Sequence, residues 1–270
     1  MPSVAPRMLS LIKAHAYGND FLLAVGVDPD AAGDVADLAR RACDRHHGVG
    51  ADGLLFVEET PAGGRMRLRN ADGSPSELSG NGVRCVGAWV AWTRALTHGA
   101  QITVDTEAGP KRLTLVEHQG RRFTFRADMG APEDLRQTSL DVDSESVRVV
   151  TMRIGNPQCV VLGPATEARL HSLASRLAVH PHFPNGTNVE LAEVLARDHV
   201  GILIWERGVG PTTSSGTGTC AAAVAAASYG GAARTVLVSA PGGSQTVEWT
   251  GEGLSLTGWA ELVGRIEWWR

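Results

Sequence analysis

Cysteine is scarce in this chain. The 270 residues carry four, at positions 43, 85, 159 and 220. There is no CxxC pair and no cysteine–histidine cluster at zinc spacing. A dense disulfide framework is thereby excluded, and reduced thiols are expected. Positive charge is not in excess either. Lys and Arg total 25 against 29 Asp and Glu, for a net charge of −4, so nothing argues for nucleic acid, which would want a basic patch. No apolar run approaches the ~18 residues that a membrane-spanning helix needs. Residues 1–7 hold no apolar core of a signal peptide. They read as a short flexible extension before Met8, which makes the cytoplasm the default location. The histidine pairs His46-His47 and His180/His182 lack a third ligand, so surface or supporting histidines are expected and no metal. What is present is an apolar fraction of 43% and ordinary charge content. Those fit a globular chain with a real core, in one large domain or two of ordinary size.

The informative feature is a duplication. Ser79-Gly80-Asn81-Gly82 is followed by Cys85, and Ser215-Gly216-Thr217-Gly218 by Cys220. Each segment opens a small-residue, apolar stretch with helical character. A polar residue stands nine positions before each serine, Asn70 before Ser79 and Glu206 before Ser215. A Gly-Asn pair precedes each again, with Asn19 at 60 positions from Ser79 and Asn156 at 59 from Ser215. The chain therefore reads as two similar halves. Two equivalent half-sites facing one another are what a reaction on both faces of one carbon needs.

Periodicity places these motifs on a mixed strand–helix plan. Strands are expected at 9–13 and 21–25, a helix at 30–45, and strands at 54–58 and 66–70. A buried helix follows, capped by Ser79, and then a strand meander over 102–106, 111–116 and 122–128. The second half repeats this with strands at 147–154 and 159–161 and a helix at 167–178. Strands at 187–192 and 200–205 follow, then a second buried helix capped by Ser215 and stopped by Gly230-Gly231, and strands at 236–239, 245–249 and 254–262. The boundary is expected near 122–136. Residues 1–125, joined by the tail 262–270, form the first half; residues 126–261 form the second.

Helix N-termini expose unpaired N–H groups and partial positive charge, so they bind carboxylates. Gly80, Gly82, Gly216 and Gly218 let a ligand approach the backbone closely. A single such motif would merely cap a helix; two at matched offsets point to a ligand site. Asn19, Asn70, Asn156 and Asn188 sit in turn or strand-end contexts, where asparagine is at home by itself. Glu206-Arg207 follows the apolar strand 202–205 and reads equally as an ordinary strand-end charge pair. Cys85 and Cys220 lie past the first helical turn and are expected to be buried structural thiols.

Seven motifs together carry a resemblance to the diaminopimelate epimerase family. They are Lys13-Ala-His-Ala-Tyr-Gly-Asn19-Asp-Phe21; Gly48-Val-Gly-Ala-Asp-Gly-Leu54; Asn70-Ala-Asp-Gly-Ser74 with Ser79-Gly-Asn-Gly-Val-Arg-Cys85; Gly155-Asn-Pro157; Gly186-Thr-Asn188-Val; Glu206-Arg-Gly208; and Ser215-Gly-Thr-Gly218. The resemblance implies an α+β fold of two pseudo-symmetric halves. Each would be a mixed or antiparallel sheet around a central buried helix, with the active site in the cleft between them. It implies epimerisation of LL- to meso-diaminopimelate by two-base proton transfer at Cα, without pyridoxal phosphate, other cofactor or metal. Ser79 and Ser215 stand at the acid/base positions. Asn70, Asn188 and Arg207 would hold the distal carboxylate, and Glu206 would help hold ammonium. Asn19, Gly80, Asn81, Asn156, Gly216 and Thr217 complete the implied substrate contacts. The small-molecule substrate is the expected partner, with no nucleic acid and no membrane; a homodimer is left open.

The departures concern the chemistry. The family carries cysteine at the two positions held here by serine, and those thiols are its proton donor and acceptor. A thiol, with a pKa of ~8.5 that a helix N-terminus lowers, suits the task better than a hydroxyl. No histidine base is evident beside either serine. Gln158 stands where the family usually has histidine, Pro211 also departs, and Ser214 makes a Ser-Ser pair. Three accounts stay open: engineered replacement in a ligand-binding form, natural divergence with epimerisation retained, or a changed reaction such as a lyase or isomerase on a related amino acid. Gln158, Pro211 and Ser214, which replacement of two thiols would not touch, favour natural divergence.

Overall fold

The computed structural model describes residues 8–77, 79–143 and 145–269. The extension 1–7 lies outside them. The chain is α+β and mostly strand. It divides into two compact units, Met1–Arg126 with Trp259–Arg270, and Ala127–Gly258.

The first unit opens with β1 (Met8–Ala16) and β2 (Asn19–Val25), an antiparallel pair joined by a tight turn. Helix α1 (Val35–Cys43) follows, then β3 (Gly53–Thr60), β4 (Gly63–Asn70), the two-residue β5 (Pro75–Ser76) and helix α2 (Gly80–Thr93). Strands β6 (Gln101–Thr106), β7 (Gly109–Gln119) and β8 (Arg122–Gly130) complete the run. β2 pairs parallel with β3, β3 antiparallel with β4, β4 parallel with β6, and β6 antiparallel with β7. Helix α2 buries Val83, Cys85, Val86, Ala88, Val90 and Ala91. Gly87 is the tight point. A Cβ there would lie 2.5 Å from Leu113 of β7, so its absence lets sheet and helix meet. Helix α1 buries Leu38, Ala39, Ala42 and Cys43 against Leu9, Leu11, Leu22, Leu54 and Phe56.

The second unit runs through β9 (Glu133–Val142), β10 (Glu145–Ile154) and β11 (Asn156–Leu162), then a helical segment and β12 (Asn188–Ala196). β13 (His199–Glu206), the short β14 (Gly210–Thr212), a long helix, β15 (Thr235–Ala240), β16 (Gly243–Thr250) and β17 (Gly253–Trp269) follow. The helical segment comprises α3 (Glu167–Arg169), a π turn (Leu170–Ala174) and α4 (Ser175–Leu177); the long helix is α5 (Gly216–Tyr229). The order of pairings matches the first unit. β10 is antiparallel to β11, β11 parallel to β12, β12 antiparallel to β13, β13 parallel to β15, and β15 antiparallel to β16. α5 is apolar on every face, and its buried run Cys220 to Ala226 packs among Val150, Val160, Ile202, Val236 and Val247. A helix hydrophobic all round belongs inside a core.

Some expectations need adjusting. The helix expected at 30–45 begins only at Val35. Gly33 takes φ +87°, and Asp34 caps the helix by accepting from the Ala36 and Asp37 N–H groups. The helix expected at 167–178 contains a π turn. β9 and β14 were not anticipated, and β17 runs on to Trp269. The division within β17 falls at Trp259, three residues before the expected tail. The Trp259 ring lies tilted against that of Tyr17, with centroids 4.5 Å apart, and the Trp259 backbone N–H donates to the Tyr17 hydroxyl at 3.1 Å.

Candidate functional site

The first half-site is built on the start of α2. Ser79 is extended, with φ −136° and ψ 117°, and its Oγ accepts from the Gly82 N–H at 3.0 Å. That satisfies one orphan donor of the helix and leaves the hydroxyl hydrogen for another partner. A Cβ on Gly80 would meet nothing within 4 Å, so the backbone here stands open. Asn81 is buried; its Nδ2 donates to Asn19 Oδ1 at 3.1 Å, and its Oδ1 accepts from Arg84 at 2.5 Å. Arg84 is itself fully buried and lies 5.6 Å from the centre of the Tyr17 ring.

Asn19 is held from behind. Its Nδ2 donates to Asp52 Oδ2 at 2.8 Å. Asp20 and Asp52 accept each other's backbone N–H, and Arg45 donates to both carboxylates at 2.7 Å. Lys13 donates to Asp20 and to the Gly50 carbonyl. Burial opposes the charge on Asp20, but hydrogen bonds from Arg45 and Lys13 outweigh it and hold the carboxyl at about 2. Asp52 and Arg45 were missed in the sequence; the signal available was the acidic residue inside Gly48-Val-Gly-Ala-Asp-Gly-Leu54. Asn70 is not joined to Asn19 or Asn81. Its Nδ2 donates to Ser74 Oγ at 3.0 Å across the turn that Gly73 makes at φ +86°.

The second half-site is built on the start of α5. Ser215 has φ −140° and ψ 128°, and its Oγ accepts from the Gly218 N–H at 3.2 Å. Where Asn81 reaches Asn19 directly, the shorter Thr217 needs a bridge. Gln158 Nε2 supplies it, donating to Thr217 Oγ1 at 3.1 Å and to Asn156 Oδ1 at 2.5 Å. An amide in place of an imidazole thus joins the two expected contact residues. Asn188 is buried, and its Oδ1 accepts from the Arg207 N–H at 2.9 Å, while the Arg207 guanidinium donates to the Asn185 carbonyl at 3.0 Å. Gly216 packs against Leu256, with a would-be Cβ at 3.4 Å.

The main surprise is Glu206. Burial raises its pKa above the usual carboxylate range, and a hydrogen bond with Ser215 pulls it part of the way back. The expectation concerned histidine alone; the group that meets Ser215 is the Glu206 carboxyl. At the matching offset before Ser79 stands the amide Asn70. The four cysteines are buried. Burial pushes the Cys85 thiol up to about 12, so it is inert at neutral pH. Among the described residues no group of three or more His, Cys, Asp or Glu is arranged to hold a metal ion, and no helix is long and apolar enough to cross a membrane.

A family profile described as diaminopimelate epimerase matches residues 11–134 and 150–263. A diaminopimelate epimerase from Desulforudis audaxviator (strain MP104C) is 41% identical over 96% of this chain and 99% of its own length. One from Moorella thermoacetica (strain ATCC 39073 / JCM 9320) is 38% identical over 90% of this chain and 92% of its own. Among solved structures, a phenazine biosynthesis protein of the PhzF family from Bacillus anthracis superposes with a TM-score of 0.70 at 16% identity, covering 97% of this chain and 99% of that one. The last is a likeness of fold.

Proposed function

Since the chain belongs to the diaminopimelate epimerase family, we propose that it interconverts LL- and meso-diaminopimelate by two-base proton transfer at Cα, with no metal or organic cofactor. The single observation that carries the mechanism is the pair of serine-capped helix openings, each hydroxyl accepting one backbone N–H. In this reading the two halves are pseudo-symmetric, each built around its buried helix, and they present Ser79 and Ser215 to opposite faces of one Cα. The α-carboxylate sits at the helix N-termini, where N–H groups and the macrodipole favour negative charge. Gly80, Asn81, Gly216 and Thr217 frame it, steadied by Asn19 and Asn156. Asn70, Asn188 and Arg207 hold the distal carboxylate, for which a guanidinium fork is suited.

The Ser215 hydroxyl passes its proton to Glu206 as it takes one from Cα, so no free alkoxide forms on that side. The Ser79 hydroxyl gives its own proton to the other face and carries the resulting negative charge at the N-terminus of α2, where the helix dipole favours it, until solvent reprotonates it. Glu206, raised by burial, is a stronger base than a solvated carboxylate would be. Fractionation tests the expected cytoplasmic location, and sedimentation tests whether the chain forms a homodimer. A crystal structure with bound diaminopimelate tests the geometry, where the two serine oxygens should stand about 7 Å apart with Cα between them. A second reading has one observation in its favour. Glu206 stands beside Ser215, whereas the residue nine before Ser79 is an amide, an inequality that suits one-base chemistry, such as elimination of water from a related amino acid that carries a β-hydroxyl. Product analysis by mass separates the two.

A further inference from the structure

Glu190 is fully buried, and no other Asp or Glu among the described residues is. It stands on β12 in register with Val160 of β11 and Ile204 of β13, apolar on both sides. Neither carboxyl oxygen has a hydrogen-bond partner among the described residues. Its direction is fixed by Gly218. A Cβ on Gly218 would lie 2.4 Å from Glu190 Oε1 and 3.2 Å from Ser215 Oγ. The carboxyl therefore fills the place that a Gly218 side chain would need, and the serine hydroxyl borders the same place.

The first unit shows how the same place is filled without a carboxyl. Leu55 of β3 is in register with Leu23 of β2, as Glu190 is with Val160. Its two methyl carbons each lie 3.5 Å from where a Cβ on Gly82 would be. Leucine suffices for packing under a serine-capped helix. A carboxyl in that place is costly to bury, so its presence under Ser215 calls for a use.

We propose that Glu190 is the proton reserve of the Ser215 side: a neutral carboxylic acid that restores the proton of Ser215 past the bare backbone of Gly218, acting as a positioning and relay group without touching substrate. The proposal rests on the epimerase reading. When Ser215 O–H breaks and Cα–H forms, Glu190 O–H breaks and Ser215 O–H re-forms, leaving the negative charge on the Glu190 carboxylate. The reverse of this step returns the proton to Glu190, whereas abstraction by Ser215 from the resting site, with Glu206 ionised and Glu190 neutral, sends the proton to Glu206; no oxidant or co-reactant is involved. Burial first, and the charge of Glu206 second, hold Glu190 protonated well above the usual carboxylate range. The titratable neighbours are Glu206 at the end of β13 and the Cys159 thiol of β11. Helix α5 carries no charged residue, and its titratable side chains are Cys220 and Tyr229.

The test compares the wild type with Glu190→Gln and Glu190→Leu. Wild-type exchange of the Cα proton in deuterated water is measured first. The variants should lose kcat by about tenfold or more, with KM within about twofold. They should also be more stable than wild type at pH 8 and no more stable at pH 4. A raised folded pKa gives stability that is present below the unfolded pKa of about 4.3 and is lost as pH rises toward the folded value, and Gln or Leu escapes that loss. Infrared spectra of wild type labelled with 13C-glutamate should show a protonated carboxyl at pH 7 that is absent from Glu190→Gln. This reading needs no variant to fold if only the wild-type band is sought. A folded variant with wild-type kcat, or a wild type with every glutamate ionised at pH 7, overturns the proposal alone. A wild type that never exchanges the Cα proton overturns the epimerase reading and takes this proposal with it.

Discussion

Replacing each cap serine with glycine separates capping from chemistry. Ser79 and Ser215 each accept one backbone N–H, at 3.0 and 3.2 Å, from extended backbone at φ −136° and −140°. Glycine adopts that backbone freely and is itself an acceptable N-cap, so Ser→Gly should cost only a few tenths of a kcal/mol, against about 1 kcal/mol for alanine. Ser215→Gly carries an additional term, because the half-buried Glu206 carboxyl loses its hydroxyl partner. An unpaired buried acceptor costs about 1–3 kcal/mol, which for a chain of this size lowers Tm by roughly 2–4 °C per kcal/mol. Ser79→Gly should therefore unfold within about 1 °C of wild type, and Ser215→Gly several degrees lower. Activity should separate from stability: losing a proton carrier should slow Cα exchange by about 10²–10⁴-fold in both variants. The assays are thermal unfolding and deuterium incorporation into diaminopimelate, followed by mass. A folded Ser79→Gly or Ser215→Gly protein that exchanges at the wild-type rate would reduce the serines to helix caps and refute the reasoning.

Ser79→Cys combined with Ser215→Cys should raise the epimerisation rate by about tenfold or more, because a thiol of pKa ~8.5 ionises far more readily than a hydroxyl at a helix N-terminus. Either single change should gain less, and a folded, ligand-binding double variant with no gain would count against two-base chemistry. Arg207→Lys should weaken diaminopimelate binding by about 1.5–3 kcal/mol by exchanging a fork for a point charge; unchanged affinity by calorimetry would return Arg207 to the surface. The Asp20 carboxyl, held at about 2 when folded, stabilises the fold above its unfolded pKa of about 3.9 and loses that contribution as pH falls toward 2. Asp20→Asn should flatten acid unfolding between pH 4 and 2, removing on the order of 2 kcal/mol of pH dependence. An unaltered acid limb would show that the Arg45–Asp20–Asp52 brace is not holding Asn19 in place.

Sequence reading reached the parts of this protein where a local rule decides. Ser79 and Ser215 are good caps by residue type, and both cap. The Ala-rich stretch after Ser215 is apolar all round and is buried. It fell short where tertiary contacts decide. The strand Glu133–Val142 has few buried side chains, Leu140 and Val142 near its end being the fully buried ones, so it shows no period-2 apolar signal. The π turn at Leu170–Ala174 changes helical phase without a marker residue. Glu206 was read as a contact for ammonium, and its bond to Ser215 depends on a turn that brings 206 back to 215. Glu190 had a visible signal that went unused: a single acidic residue inside the apolar run Val189 to Ala192. An acid there must be paired, neutral or functional.

The central claim is tested most directly by incubating the wild-type serine protein with LL-diaminopimelate in deuterated water and following product mass and stereochemistry. The account predicts meso-diaminopimelate carrying one deuterium at the inverted Cα, with a rate that rises with pH as Glu206 ionises. Deuterium exchange at Cα with configuration retained, or tight binding with neither exchange nor inversion, would contradict it.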